Sequence, residues 1–432
     1  MADTNDIIHL LRRTEFVARA SRVAALQPMT LEQAVEDVLD FSRNTTSPPA
    51  WMTVLQQDRY GQLVAMHNWW LDTMATAARP FQEKLTLFWH GHFVSDYGAM
   101  ERPDFTLQQI GLYRRMAVGN FRAFTQAMSI EPVMLAYLSN DKNMKGNPNE
   151  NFARELMELF TLGVGNYSQS DVVAAARAWT GHTLDFETKT YRFDATQHDT
   201  GNKTFFGTTK NWDGPEIIDE ILRDNKPKQA IAARFMARKL WEFLAYPDPE
   251  QAIIDELATG FVATDLEIRP LVKAILLRPE FYSTKAKQGL VRSPVEWSVA
   301  LLAHTGFTAA RAGIMDRGLD MGQRLFNPPN VAGWKSNGYY LTTGMLSARA
   351  KLAQQVANEL LFSGGFGYLE TMSPALAVDN VAAFFGVVLA PTSRSAIIDS
   401  FSSDLAAVGW NKRLAVGNLL ITMMLTGEMN VP

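Results

Sequence analysis

The sequence predicts a mainly α-helical protein, built as one large multi-helix domain with a small irregular insert. Apolar residues recur at helical spacing along most of the 432-residue chain. Hydrophobic residues make up 47% of the chain and charged residues 20%, a composition too apolar and too weakly charged for a disordered protein. Residues 183–212 form the longest break in the helical pattern. Their Thr, Gly and aromatic residues favour a β-hairpin or a long loop.

The first helices are predicted from an apolar stripe and from capping signals. Ile7 and Leu10 lie on one face of an N-terminal helix. Thr30 and Gln33 fit a capping box, so a second helix is expected to begin after Thr30. Pro132 suits the first turn of a third helix, because proline lacks the amide that the first turn leaves unbonded.

The segment 147–163 carries start and stop signals for a helix. Asn147 is expected to be the N-cap, Pro148 the first helical residue and Glu150 the capping-box partner. Gly163 is expected to end the helix. This spacing places several polar residues of the segment on one helical face.

The remaining pattern is again helical apart from one loop. Pro328 and Pro329 exclude a helix from residues 326–340. We expect residues 1–364 to form the helical domain and residues 365–432 a helical extension packed on it. Further helices are predicted over 171–179, 217–222, 228–244, 251–261, 266–277, 294–304, 347–361 and 413–425.

Composition excludes several classes of function. The 41 basic and 45 acidic residues nearly balance, so no electrostatic footprint for nucleic acid is present. The absence of cysteine excludes disulfides, thiolate nucleophiles and thiolate metal sites. No apolar run approaches the length of a membrane span. Phosphate-binding loops and the common zinc-protease and serine-hydrolase motifs are also missing.

The N-terminal residues bear on localisation. They show no basic start followed by an apolar core, so the sequence predicts a cytoplasmic protein. The alternative is a periplasmic or exported protein that leaves the cytoplasm with a partner.

The first candidate cluster for chemistry is the Trp-His-Gly-His run at residues 89–92. His90 and His92 would point about 200° apart on a continuous helix, but they could converge if the helix ended near Gly91. Neutral imidazoles can bind a metal or transfer protons. The alternative is that each histidine packs between aromatic rings or caps the helix. Trp89 is a candidate for substrate binding.

The second cluster lies on the predicted mid-chain helix. Glu155 and Glu158 share a face with Asn151, and Arg154 flanks them. Paired carboxylates at this spacing serve in metal binding or in acid–base catalysis, so both glutamates are catalytic candidates. Asn151 and Arg154 are candidates for substrate binding. The alternative is a solvated face or an ion-pair network.

The third cluster lies in the irregular insert, which could fold over the helices. His198 and Asp199 are catalytic candidates there, and Lys203 is a candidate for substrate binding. Trp334, on the loop 326–340, is a further substrate-binding candidate because its ring could stack on a sugar.

Together the clusters predict one polar cleft in a hydrolase-like enzyme. A carboxylate or histidine would activate water, and a second group would protonate the leaving group of a saccharide or phospho-ester substrate. A divalent metal could replace the base. Its candidate ligands are His90, His92, Glu158 and His198.

Six sequence runs resemble a bacterial family, the domain of unknown function 1800. The resemblance extends from about Ile7 to about Leu361 and is weakest after Gly365. It implies export of many members and a gene neighbour that resembles sulfatases and alkaline phosphatases. The alternative function is therefore a non-catalytic helical scaffold or an accessory partner of that neighbour. The runs are HLLRRTEF, LTLFWHGHF, NPNENFARELMELFTLGVGNY, AARAWTGH, HD-x-GNKTFFG and FNPPNVAGW.

Overall fold

A computed structural model describes residues 3–44, 47–408 and 411–432. Within these residues the fold is mainly α-helical, with 23 α-helices and two small antiparallel sheets of two strands each. The predicted fold class is therefore confirmed. No helix in the described ranges is both long and apolar enough to cross a membrane.

The N-terminal half of the chain contains the first eleven α-helices. Leu156–Thr161 continues α9 as a π-helical segment, and Glu220–Asp224 does the same after α11. The helices are α1 Thr4–Glu15, α2 Ala20–Leu26, α3 Leu31–Val38, α4 Arg59–Thr76, α5 Phe81–His92, α6 Pro103–Met116, α7 Phe121–Ser129, α8 Pro132–Tyr137, α9 Asn151–Glu155, α10 Gln169–Ala178 and α11 Gly214–Asp219.

The C-terminal half contains twelve more. They are α12 Lys226–Leu244, α13 Gln251–Ala263, α14 Ile268–Leu277, α15 Thr284–Gln288, α16 Pro294–Thr305, α17 Ala309–Ala312, α18 Ile314–Gly318, α19 Thr343–Phe362, α20 Pro374–Phe384, α21 Pro391–Ala407, α22 Lys412–Leu425 and α23 Gly427–Asn430. Helices α12 and α13 pack together, α19 packs on α22, and α4 packs on α16.

The insert forms two hairpins. Strand β1 (His182–Leu184) pairs with β2 (Tyr191–Phe193), and β3 (Lys203–Phe205) pairs with β4 (Thr208–Lys210). The first hairpin contacts α8, and β3 packs on α10. The hairpin predicted for this segment is present, but it covers α8 and α10 rather than the end of α5.

The capping signals predicted the start of the helix correctly at Thr30 but not at Asn147. Thr30 and Gln33 form the predicted capping box. The mid-chain helix begins at Asn151, three residues later than predicted, because the side chain of Asn149 accepts the Asn151 amide in a turn. The stop at Gly163 is present, with a φ of 81°.

Helix α5 lies at the centre of the molecule. It is buried on nearly all sides, and Gly91 is its exposed residue near the C-terminal end. A helix buried all round must pair its polar side chains internally. Glu83 does so by accepting hydrogen bonds from Trp70 Nε1 at 2.9 Å and from Arg114. Another polar residue of α5, His92, lines the candidate site described below.

The last residues of the described chain are hydrogen-bonded to residues far away in the sequence. Arg292 donates to the carbonyl of Met429 at 2.9 Å and to that of Phe16 at 3.0 Å. Arg349 donates to the side chain of Asn430 and to the carbonyl of Arg292. The division at residue 364 stays a prediction, but α23 is held by residues on its other side.

Candidate functional site

A cleft of about 350 Å³ opens between α5, α12 and the loop 326–340. This volume lies near the lower end of the range typical of small-molecule sites. Leu87, Phe88 and Phe243 form an apolar wall, while lysine, glutamate, histidine and serine side chains supply polar groups. The cleft is thus shaped for a small ligand with both apolar and polar parts.

The irregular loop forms one side of this cleft. Gly333 has a φ of 78°, and a Cβ atom there would lie 3.1 Å from the carbonyl oxygen of Gly91. Glycine is therefore needed for the loop to sit against the end of α5. Trp334 and Tyr340 follow it and line the cleft, so the predicted substrate-binding residue Trp334 does lie at a cavity.

His92 lines the cleft and is hydrogen-bonded to a lysine of α12. Lys239 donates to His92 Nδ1 at 3.3 Å and to the carbonyl of Leu159 at 3.3 Å. His92 Nε2 then donates to the carbonyl of Phe160 at 3.1 Å. Burial and the neighbouring Lys239 charge place the pKa of His92 well below its ordinary value, so the imidazole is neutral.

Lys239 and Glu242 lie one turn apart on α12, and both line the cleft. Burial lowers the pKa of Lys239 to about 8, although the Glu242 charge opposes the shift. Burial raises the pKa of Glu242, and the Arg238 guanidinium 3.8 Å away lowers it in part. Burial thus shifts the pKa values of both side chains toward neutral pH.

Glu296, from α16, also lines the cleft. Burial alone would raise its pKa, but the bonded Lys84 ammonium and hydrogen bonds from Ser293 bring the pKa below the ordinary value. Glu296 is thus an ionised carboxylate at neutral pH. Lys84 comes from α5 and is itself fully buried.

His90 lies outside this cleft, in an aromatic cluster. Its ring is 5.0 Å from that of Trp334 and 5.5 Å from that of Trp70. His90 Nε2 accepts the amide of Phe326 at 3.1 Å, which anchors the start of the loop. Burial lowers the pKa of His90 to about 3. Because α5 continues through His92, the two histidines point apart, contrary to the expected convergence.

Trp89 is a core residue rather than part of the cleft. Its side chain is fully buried, and Nε1 donates to the carbonyl of Ala117 at 3.0 Å. Its ring packs against those of Phe124 and Phe93. The structure places Trp89 in the core and away from the cleft, and its predicted contact with a substrate stays a prediction.

This contrast between two tryptophans is testable. Trp89→Ala should lower the free energy of unfolding by about 3–5 kcal/mol, because it leaves a large cavity in the core. Trp334→Ala should cost clearly less, since Trp334 is half-buried at the cleft. Urea denaturation of the two variants measures both values. Equal losses would contradict the separate placement of the two rings.

Glu155 ends α9 and Glu158 lies on the π-helical turn that follows, and neither glutamate lines the cleft. Glu158 accepts a hydrogen bond from the Tyr167 hydroxyl. Burial, with the nearby Glu158 charge, raises the pKa of Glu155. Arg154 pairs with Glu150 at 2.9 Å. Asn151 is exposed at the start of α9.

The insert residues are engaged with α10. His198 Nδ1 donates to the carbonyl of Thr180 at 2.8 Å, and Asp199 accepts from Arg177 Nε at 2.7 Å. Lys203 donates to Asn211 Oδ1 and to the carbonyl of Trp212, both at 2.8 Å. These bonds tie the hairpins down, and none of these residues lines the cleft.

The predicted clusters therefore do not form one site. Of the predicted residues, only His92 and Trp334 line the cleft. Within residues 3–44, 47–408 and 411–432, no three His, Asp or Glu side chains are arranged to hold a metal ion. The metal candidates His90, His92, Glu158 and His198 are each hydrogen-bonded to different parts of the chain.

Four charged residues of the cleft were missed by sequence reasoning, and one of them, Lys335, lies on the loop 326–340. Lys239 and Glu242 lie in a helix predicted over 228–244, and Glu296 lies in one predicted over 294–304. The i, i+3 spacing of Lys239 and Glu242 was the available signal, but it is common on solvated helices.

Comparison with known proteins gives the family. The model of the family described as Protein of unknown function (DUF1800) matches residues 9–428. The chain belongs to this family. The match runs past Leu361, so it includes the C-terminal helices that the sequence runs did not reach. Neither the curated proteins nor the solved structures yield a match.

Proposed function

We propose that the protein is a hydrolase-like enzyme whose active site is the cleft between α5, α12 and the loop 326–340. The observation that carries the proposal is the pair Lys239 and Glu242, which share one open cleft and have pKa values shifted toward neutral pH. Such shifts suit groups that exchange protons with a substrate.

The pKa shifts of Glu242 and Lys239 indicate which group acts as the base and which as the acid. Burial raises the pKa of Glu242, which makes its carboxylate a stronger base than that of an ordinary glutamate, so it takes the proton of the attacking water. Lys239 is an ammonium group that is more acidic than an ordinary lysine, so it protonates the leaving-group oxygen.

His92 and Trp334 support this chemistry. His92 is a positioning residue, because its neutral ring accepts a hydrogen bond from Lys239 and fixes the ammonium at the cleft wall. Trp334 offers a ring face beside the polar groups, which suits the planar or apolar part of a substrate.

A panel of chromogenic substrates tests the proposal. We expect turnover of at least one among 4-nitrophenyl phosphate, sulfate, acetate and β-glucoside. Glu242→Gln and Lys239→Met should each lower that rate by about 10²–10⁴-fold. The rate of the native chain should fall above about pH 8, where Lys239 loses its proton.

Matched controls are the exposed residues Glu187 and Lys351, which lie outside the cleft. Glu187→Gln and Lys351→Met should keep the full rate. If no substrate is hydrolysed faster by the native chain than by Glu242→Gln, the enzymatic proposal fails.

A second candidate function is a non-catalytic scaffold or accessory partner of the sulfatase- or phosphatase-like neighbour. One observation favours it: His90, His198 and Glu158 are bonded internally, as residues that fix helix register would be. Co-elution of the two purified proteins as a stable complex would support this role, and separate elution would count against it.

A further inference from the structure

Four fully buried cations surround one carboxylate behind the cleft. Glu296 pairs with Lys84, and its charge also acts on three buried arginines. These are Arg13, Arg292 and Arg349, with 1%, 4% and 0% of their surfaces exposed. Burial lowers the pKa of Arg13 and Arg292 to about 9, so both stay charged at neutral pH. Positive charge therefore exceeds negative charge in this region.

The arginines do not find enough partners within the protein. Arg13 donates to the carbonyl of Ala286, but its Nε and Nη1 atoms have no hydrogen-bond partner among the described residues. The Nε atoms of Arg292 and Arg349 also have no hydrogen-bond partner among the described residues. Buried charges without counterions are costly, and a bound anion is one way to relieve that cost.

The cleft is the place from which an anion can approach this charge. Glu296 and Tyr340 form the wall in front of the cations, and the Arg349 charge acts on Tyr340. Lys335 and Lys239 add two lysines on the cleft surface, against Glu242 and Glu296. When the four buried cations are counted with these two lysines, six positive groups exceed the two carboxylates, so the charge around the cleft is positive although the net charge of the chain is −4.

We propose that the cleft binds an oxyanion group of its ligand, a sulfate, phosphate or carboxylate, beside Lys335 and Lys239. The inference rests on the proposed function for the identity of the cleft, and it narrows the substrate class to anionic compounds. Lys335 and Lys239 contact the anion, while the buried cations supply the long-range attraction. A neutral sugar gains nothing from this positive charge.

Sulfate binding to the full chain tests the proposal. The Glu242→Gln variant is used so that binding is measured without turnover. At constant ionic strength, sodium sulfate should raise the melting temperature more than sodium chloride does. Calorimetric titration should show one sulfate site. In competition, 4-nitrophenyl sulfate should displace sulfate, and 4-nitrophenyl β-glucoside should not.

Substitutions that each remove one charge show whether positive charge at the cleft favours sulfate binding. Lys335→Gln should weaken sulfate binding about tenfold, whereas Lys351→Gln, outside the cleft, should leave it unchanged. Glu296→Gln should strengthen binding, because it removes a competing negative charge, which a purely structural role would not do. If Glu296→Gln does not fold, the two lysine variants decide the question.

The outcomes separate this inference from the enzymatic proposal. Sulfate binding without hydrolysis of any substrate in the panel would support the anion site and contradict the enzymatic proposal. Hydrolysis of the neutral glucoside without sulfate binding retains the enzyme and overturns the anion site. Equal stabilisation by sulfate and chloride, or equal binding by the Lys335 and Lys351 variants, also overturns it.

Discussion

Acidification from pH 7 to pH 5 should remove most of the stability of this protein. Five of its seven histidines have a lowered pKa, chiefly because of burial, and remain neutral in the folded state. In the unfolded chain they take up protons near pH 6.5. The five are His9, with a pKa of about 3, His67 (about 4), His90 (about 3), His92 (well below the ordinary value) and His304 (about 4).

The sign of the effect follows from proton counting. Between pH 6.5 and about pH 4 the unfolded state binds more protons at these histidines, so stability rises with pH and is lost as pH falls. Each histidine contributes up to about 1.4 kcal/mol per pH unit. Glu131 opposes them between pH 4.5 and 7, because burial raises its pKa to about 7 and the folded state then binds its proton.

The net difference is about four protons, or up to about 5 kcal/mol per pH unit. Urea denaturation at pH 7, 6 and 5 measures it. His304→Gln is the matched variant, since His304 is only half-buried and its loss should reduce the slope by about 1.4 kcal/mol per pH unit. Unfolding free energies that agree at pH 6.5 and pH 5 would contradict the neutral, buried state of these rings.

The second large effect is expected from Glu296→Gln. The substitution leaves Lys84 and three buried arginines without their shared carboxylate, and breaking a buried pair in this way costs about 3–5 kcal/mol. Lys84→Met should cost less, because the nearby positive charges of Arg13, Arg292 and Arg349 still act on Glu296. The order of the two losses is therefore the decisive result.

Chemical denaturation of both variants at pH 7.5, without sulfate, gives that order. A surface pair supplies the control: Lys285→Met should change stability by less than about 1 kcal/mol, because Lys285 and Glu250 are exposed. A larger loss for Lys84→Met than for Glu296→Gln would show that the positive charge of the cluster is balanced by groups other than Glu296.

Local signals predicted the fold well where a short run of residues decides the structure. Thr30 and Gln33 form their capping box, and Gly163 ends the mid-chain helix in the left-handed region. The signals failed at Asn147, where the competing turn at Asn149 delays the helix to Asn151. Such competition depends on tertiary contacts, since the Asn143 side chain holds the Asn149 amide.

The site was less predictable because it depends on which helices meet. The loop 326–340 and His92 were recognised from the sequence, and both lie at the cleft. The hairpins fold onto α10 instead, so His198 lies elsewhere. Lys239 and Glu296 have no local signature, since their shifted pKa values arise only from burial and from neighbours distant in the sequence.

The arginine contacts at the end of the chain have a consequence for biosynthesis. Phe16 near the beginning, Arg292 in the middle and Met429 near the end meet through two hydrogen bonds. The interior cannot close around Arg292 and Arg349 until residues 426–430 have left the ribosome. Nascent chains that stop before α22 would expose these guanidinium groups together with the apolar face of α19, and such chains would be natural clients of chaperones.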